Sequence, residues 1–396
     1  MPNIAEPVLR DIAWPLALAI AWIAGELGHR WLRLPRICSY GIVGFALAAS
    51  QGGLLAAPAA KPIALLADVA FGLILFELGY RINLGWLRTN PWLGVTSLVE
   101  AGATFVAVFL VSRWFGMSLV PSLLLSAIAM STSPAAVVRV ANELRCSGQV
   151  TERTLHLSAF NSVLAVVVFK FVVGYWVLAG SGGAFQAIWS SIVVLVVSAG
   201  LGALFGVAVP GLLRMLGGLE RNATVVFALA VLLLTAVTYA FRFSPLLAAL
   251  AFGLVARHRR LVLSQAQRNF GALGDLLTLL LFVFVTATLD WRQVVAGFPM
   301  AMAVIGARMA TKVAGTVLFA RSSGISWRKG LYTGMALMPL SVFAILLLEQ
   351  TRHLGLALMD DVAALAGIVL VLEILGPLVT HWALVWAGEA PRKGER

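Results

Sequence analysis

The chain reads as an all-α integral membrane protein of about thirteen transmembrane helices, built as an inverted repeat in which two of the helices are discontinuous. Three observations predict this. Of its 396 residues 61% are hydrophobic and 12% are charged, a balance that a water-soluble chain of this size does not show. Apolar runs long enough to cross a bilayer, about 18 residues or more, recur along its whole length. Two Pro-interrupted polar breaks, Ser131-Thr132-Ser133-Pro134 and Met338-Pro339-Leu340-Ser341, sit midway along two such runs, with Pro134 and Pro339 205 residues apart.

In chain order the spans fall at 11–29, 36–56, 61–80, 91–112, 118–142, 154–180, 184–213, 222–240, 243–256, 270–289, 293–320, 329–350 and 361–387. The first lacks a basic start and a cleavage site and is expected to stay as an anchor. Lys and Arg test the count. Loops after odd-numbered spans, with the tail, hold twenty basic residues, among them Arg30, Arg36, Arg81, Arg145, Arg257 and Lys329; the opposite side holds six: Arg10, Lys61, Arg113, Arg242, Arg292 and Arg352. By the positive-inside rule the amino terminus lies outside and the carboxyl terminus in the cytoplasm of a multi-pass plasma (inner) membrane protein. The net charge of +12 is then topological. Dispersed one loop at a time, it forms no stripe for nucleic acid, and the bilayer is the partner it implies. Cys38 and Cys146 fall on the cytoplasmic side, where a disulfide is not expected.

Spans 4, 5 and 6 match spans 11, 12 and 13 in plan: a charged span, a Pro-broken span, and a span with polar groups at mid-depth. An offset of seven reverses the direction of corresponding helices, which makes an inverted repeat. The loops are too short to fold alone, so residues 1–396 form one transmembrane domain and its function lies inside the bundle.

Proline lacks an N–H and clashes with the preceding turn, so a break at bilayer depth frees backbone groups that hydrocarbon cannot satisfy. A single such kink is common. Two matched ones point to a polar cavity and a midplane substrate site, hence to a transporter. At the first break the Thr132 and Ser133 hydroxyls and the carbonyls released by Pro134 suit a small hard cation, whereas half-helix N-termini suit an anion; geometry alone leaves the sign of the substrate open. Ser158, Asn161 and Ser162 share one face of span 6 by their spacing.

Ionisable groups in the membrane are functional candidates because each costs several kcal/mol unless paired or hydrated. Glu26, Asp68, Asp275, Asp290 and Glu349 lie near span ends and read as snorkelling or capping residues. Glu373, deep in the last span, could carry a proton, ligate a cation or neutralise a basic neighbour. Arg308 and Lys312, at i and i+4, share a face of span 11. Lys170 lies opposite the Asn161 face and about 13 Å further along, suited to an ion pair or to proton carriage. Three deep acids, Glu77, Glu100 and Glu373, balance Lys170, Arg308 and Lys312, which favours an ion-pair network as much as a pathway. The five His lie near span ends with no metal spacing, and no Ser/His or paired-Asp motif sits at depth, so an intramembrane hydrolase, or any enzyme or resident cofactor, is not indicated.

These residues resemble a family, the monovalent cation:proton antiporters of the sodium/proton exchanger superfamily. Leu34-Pro35-Arg36-Ile37 with Gly41 to Gly44 is similar to its first helix entry, and Leu75-Phe76-Glu77-Leu78-Gly79-Tyr80-Arg81-Ile82-Asn83 to its Leu-Phe-x-x-Gly-Leu-Glu segment. Thr132-Ser133-Pro134-Ala135-Ala136-Val137-Val138, followed by Asn161-Ser162, resembles its unwound helix and ion-site helix; Leu375-Gly376-Pro377-Leu378-Val379-Thr380 resembles its closing helix. The resemblance implies a core of residues 91–180 and 293–387 beside a dimerisation scaffold of 11–80 and 184–289. It also implies a homodimer with an elevator-like movement, and exchange of Na⁺ or K⁺ for H⁺. Where the family's ion-site helix carries Asn-Asp or Asp-Asp, this chain has Asn161-Ser162, and Ser162 can ligate but cannot change charge near neutral pH. Coupling must then have moved to Glu373, Lys170 or another buried group. Arg81 also replaces a Glu, near a helix end. The expected function is cation/proton exchange with Thr132, Ser133, Ser158, Asn161 and Ser162 around the ion, Glu373 as proton carrier, and Lys170, Arg308 and Lys312 tuning the carboxylates. The alternatives are a carrier of another, anionic solute and a transport-dead sensor or scaffold.

Overall fold

The computed structural model describes residues 5–32, 34–53, 55, 61–178, 184–215, 219–241, 243–259, 271–341 and 363–391. Among them the helices run α1 (Ala5–Leu27), α2 (Arg36–Ala46), α3 (Lys61–Arg81), α4 (Leu84–Thr89), α5 (Trp92–Trp114), α6 (Leu119–Met130), α7 (Pro134–Leu144), α8 (Gln149–Leu178), α9 (Ala184–Met215), α10 (Leu219–Ala240), α11 (Pro245–His258), α12 (Gly271–Ala287), α13 (Trp291–Ala296), α14 (Phe298–Leu318), α15 (Trp327–Ala336) and α16 (Ala363–Trp386). Among the described residues eight segments are long and apolar enough to cross a bilayer, and α11 and α12 are shorter apolar helices. The chain is a multi-pass, all-α membrane protein.

Helix ends follow local chemistry. Ser133, Ser244, Ser326, Asn83 and Asp290 cap α7, α11, α15, α4 and α13 by accepting backbone N–H bonds, and Pro134 and Pro245 stand where a missing N–H costs nothing. Two expected spans are divided. The one at 36–56 stops as a helix at Ala46 and turns through Ala49–Gln51, a turn that ends where Gly52 takes the left-handed conformation at φ 80°. The one at 293–320 is preceded by the short α13, from which Gly297 and Pro299 separate α14. The second half of the span at 329–350 lies outside the described residues.

In packing, α5 lies against α6, α8 and α14; α15 and α16 complete this set through α14, α8 and each other. A second set joins α9, α10, α11 and α3, with α12 on α2 and α3 and α1 on α2. The sets meet where α8 touches α9, α7 touches α3 and α16 touches α2. Close backbone approach builds the α3–α11 contact: a Cβ on Gly79 would strike the Leu250 carbonyl and one on Gly253 the Phe76 carbonyl, the small-residue packing that membrane helices favour. Beside it Phe76 packs on Phe227 and Phe252 with ring centroids 5.0 and 4.7 Å apart.

The start of α8 is held from a distance. Helix α16 ends with Gly388 at φ 73°, its N–H on Val385 O at 3.0 Å, and Glu389 N–H on Leu384 O at 3.3 Å, a Schellman turn. This turn aims Glu389 at α8. Its carboxylate accepts from Val150 N at 2.7 Å, Thr151 N at 2.8 Å and Thr151 Oγ1 at 2.8 Å. Gly148 has no side chain to cap α8, and any Cβ there would collide with that carboxylate.

Candidate functional site at the crossing of two broken helices

Helix α6 stops at Met130, Ser131 and Ser133 are extended, and α7 restarts at Pro134; α15 stops at Ala336 ahead of Leu337–Ser341. The two breaks meet. Ser133 N donates to Pro339 O at 2.9 Å, and Thr132 Oγ1 donates to Leu337 O at 3.2 Å. Two half-helix C-termini, each carrying roughly −0.5 of a charge, thus converge on one point.

Arg308 sits there, fully buried on α14. Its guanidinium donates to Ala129 O at 2.9 Å, Ser131 O at 2.6 Å, Leu337 O at 3.2 Å, Pro339 O at 3.2 Å and Met338 O. One positive charge therefore balances two helix ends and satisfies the carbonyls that the breaks release. Lys312, one turn on and also fully buried, donates to Met130 O at 3.1 Å and pairs with Glu100 at 2.6 Å.

The expected balance of three acids against three bases is corrected by this arrangement. Glu100 does pair with Lys312, but Arg308 turns to carbonyls because the breaks leave five of them within reach. Glu77 pairs instead with Arg81 at 2.8 Å and accepts from Asn142 Nδ2 at 3.0 Å. Lys170 is partly buried further along α8. Glu373 on α16 is 1% exposed, and its Oε1 has no hydrogen-bond partner among the described residues.

The face of α8 is fully buried, and its polar groups are engaged. Ser162 Oγ lies 3.0 Å from Thr132 O and 2.8 Å from Ser158 O, sharing its proton between them. Ser158 Oγ donates back to Leu155 O at 2.8 Å. Asn161 Oδ1 accepts from Ser97 Oγ at 2.9 Å, and its Nδ2 donates to Glu100 Oε1 at 3.1 Å. Ser133 Oγ accepts from Ala136 N at 3.3 Å. The structure thus brings Thr132, Ser133, Ser158, Asn161, Ser162, Arg308, Lys312 and Glu100 together around the first break. Ser97 was not foreseen, although it lies three residues before Glu100 on the same helix face; nor was the Arg81–Asn142 pairing with Glu77.

Of the span-end acids that are described, one caps a helix as expected and two form ion pairs instead. Asp290 caps α13, accepting from Arg292 N at 2.9 Å; Glu26 pairs with Arg30 and Arg36, and Asp275 with Arg139 at 2.6 Å. The Asp68 side chain and residue Glu349 lie outside the described residues. A cavity of about 1470 Å³ opens at the end of α7 far from the break, lined by Glu26, Arg36, Arg81, Asn142 and Glu143 among others. Glu143 holds His29 at 2.7 Å and Arg36 at 3.1 Å on this wall. Arg81, expected at the periphery, is part of the wall. Both cysteines are free; burial pushes the Cys146 thiol up to about 12, so it stays a neutral thiol.

Chemically, the crossing offers hydroxyl and carbonyl oxygens with a carboxylate nearby, a hard-oxygen environment suited to small cations. Both buried cations at the crossing already bind carbonyls or Glu100, which speaks against an anionic cargo there. The model of the family described as "Sodium/hydrogen exchanger, transmembrane" matches residues 16–386. A 104-residue stretch is 32% identical to the low-affinity Na(+)/H(+) antiporter NhaS1 of Synechocystis sp.; it covers 26% of this chain and 20% of that protein, so the match spans about a fifth of the curated relative. Two structures of the sodium proton antiporter MjNhaP1 from Methanocaldococcus jannaschii share the fold at 17% identity. One, determined at pH 8, has a TM-score of 0.67 and covers 97% of this chain and 98% of that one. The other, an electron-microscopy map, has a TM-score of 0.74 and covers 95% of each.

Proposed function

The chain belongs to the sodium/hydrogen exchanger family, and from that premise we propose that it is a secondary active transporter exchanging a monovalent cation, Na⁺ or K⁺, for protons. The observation that carries this reading is the meeting of the two breaks, Ser133 N on Pro339 O at 2.9 Å. It joins half-helices from both ends of the chain around a point where backbone and hydroxyl oxygens gather. Thr132, Ser133, Ser158, Asn161 and Ser162 line the ion's position on one side, and Glu373 lies on the other. Arg308 and Lys312 hold the crossing together, while Glu100, Glu77 and Lys170 set the surrounding charge.

In this reading residues 91–180 and 293–387 are the moving core, and 11–80 and 184–289 form a scaffold through which two copies pair as a homodimer. The packing of α5–α8 with α14–α16, apart from α9–α12 with α1–α3, supports that division. The twenty-to-six bias of basic residues supports a plasma-membrane topology with the amino terminus outside and the carboxyl terminus in the cytoplasm. The cavity at the end of α7 then lies on the expected cytoplasmic side, with the Glu143 cluster at its wall.

The test is reconstitution. In acid-loaded proteoliposomes containing a pH dye, external Na⁺, K⁺ or Li⁺ drives protons out of the lumen. No response to any of the three between about pH 6 and 9, the range in which perturbed groups titrate, overturns the reading.

A further inference from the structure

Every hydroxyl and amide described at the first break is engaged, whereas two buried oxygens by the second are not. Glu373 Oε1 and Ser341 Oγ have no hydrogen-bond partner among the described residues, and each residue is 1% exposed. The non-helical segment that carries Ser341 runs antiparallel to α16. Thr380 Oγ1 donates to Ala336 O at 3.1 Å, and a Cβ on Gly376 would lie 2.6 Å from Pro339 Cα. One more turn of α16 leads from Gly376 to Glu373 as the broken strand leads from Pro339 to Ser341.

The buried ionisable groups on α14 and those of α7 that pack against α16 are otherwise committed. Arg308 binds carbonyls and Lys312 binds Glu100. Arg139 and Glu143 of α7 bind Asp275, and Arg36 with His29. Cys38 of α2 donates its thiol to Ile374 O at 3.1 Å, next to Glu373 but to the backbone. Lys329 of α15 reaches Gln149 at 3.0 Å. Among the described residues Glu373 has no ion-pair partner, unlike Glu77 and Glu100.

We infer that Glu373 and Ser341 form the site at which proton and cation replace each other. This inference rests on the exchange reading above. A bare carboxylate at this depth costs several kcal/mol, so the site is populated in two states. In one, the carboxyl holds its proton; in the other, the O–H bond has broken heterolytically, the proton has left to water, and a monovalent cation sits on carboxylate and hydroxyl oxygen. The charge at the site is the same in both, so one cation exchanges for one proton. Helix α16 stands to the second break as α8 stands to the first, and the carboxylate that Ser162 lacks is supplied by the counterpart helix.

The experiment compares wild type, Glu373→Gln and Ser341→Ala in proteoliposomes, and measures their thermal unfolding in detergent with and without Na⁺, K⁺ or Li⁺ across pH. Wild type releases protons on cation addition, and cation stabilises it more as pH rises. E373Q releases none above empty liposomes, and the pH dependence of its cation stabilisation disappears. S341A keeps its maximal rate with an apparent KM raised about fivefold to tenfold, the loss of roughly one hydrogen-bond-sized contact. If wild type exchanges and E373Q exchanges equally with the same pH profile, the inference is overturned and the exchange reading stands. A silent wild type overturns both. Should E373Q not fold, S341A decides: an unchanged KM overturns the inference.

Discussion

At the first break the hydroxyls of Thr132 and Ser162, the Asn161 amide and the carbonyls of Ala129, Met130 and Ser131 all have partners; by the second, Ser341 Oγ and Glu373 Oε1 have none among the described residues. The two regions share a local cause, a Pro-interrupted helix whose end must be satisfied. They differ in what satisfies it. Around the first, Ser97, Glu100 and Lys312 form a network that ties α5, α8 and α14 together, with Glu100 Oε2 left over, and a network of this kind resists change. By the second, two buried oxygens lack a hydrogen-bond partner among the described residues, and a proton or a cation satisfies such an oxygen. A matched pair of breaks can thus divide its work between holding the crossing and exchanging at it.

Arg308→Met is the hardest test of the holding half. It strands carbonyls of both breaks, each costing about 1–3 kcal/mol when buried unpaired, so no monodisperse folded protein is expected on size-exclusion chromatography. A variant melting within a few degrees of wild type would remove the case that Arg308 closes the crossing. Lys312→Met comes next. It leaves Glu100 charged without its partner, an expected loss of about 3–5 kcal/mol, seen as a lowered unfolding temperature; Glu100→Gln added to it restores most of the loss. The smallest effect has the opposite sign. Glu373→Leu removes an unpartnered oxygen and is expected to leave stability unchanged or raise it by about 1–3 kcal/mol. If it destabilises as Lys312→Met does, Glu373 has a partner and the contrast between the breaks collapses.

The breaks themselves were legible, because proline and its Ser and Thr neighbours act locally; so was the series of spans, because hydrocarbon demands uninterrupted apolar length. The face formed by Ser158, Asn161 and Ser162 followed from helical spacing. What joins those parts was not legible. Arg308 finds backbone carbonyls, which every residue has and no sequence marks, so a search for carboxylate partners misdirected it. Lys312 and Glu100 lie 212 positions apart, and residue types alone could not select that pair from three acids and three bases. Glu77 with Arg81 was a readable i, i+4 pair, hidden by counting Glu77 among the deep acids. The division of the second span at Gly52 was equally present in the Gln51-Gly52-Gly53 run, but apolar length outweighed it.

The clasp of Glu389 on the first turn of α8 joins residues 239 positions apart. Ribosomal synthesis delivers them in that order, so α8 enters the bilayer with its leading N–H groups lacking this carboxylate until α16 and the turn after it have been made. A chain stalled or cut after Trp386 leaves the helix that bears Asn161 open at its end. The turn that follows α16 therefore acts as a fastener of biogenesis, closing a helix translated long before it.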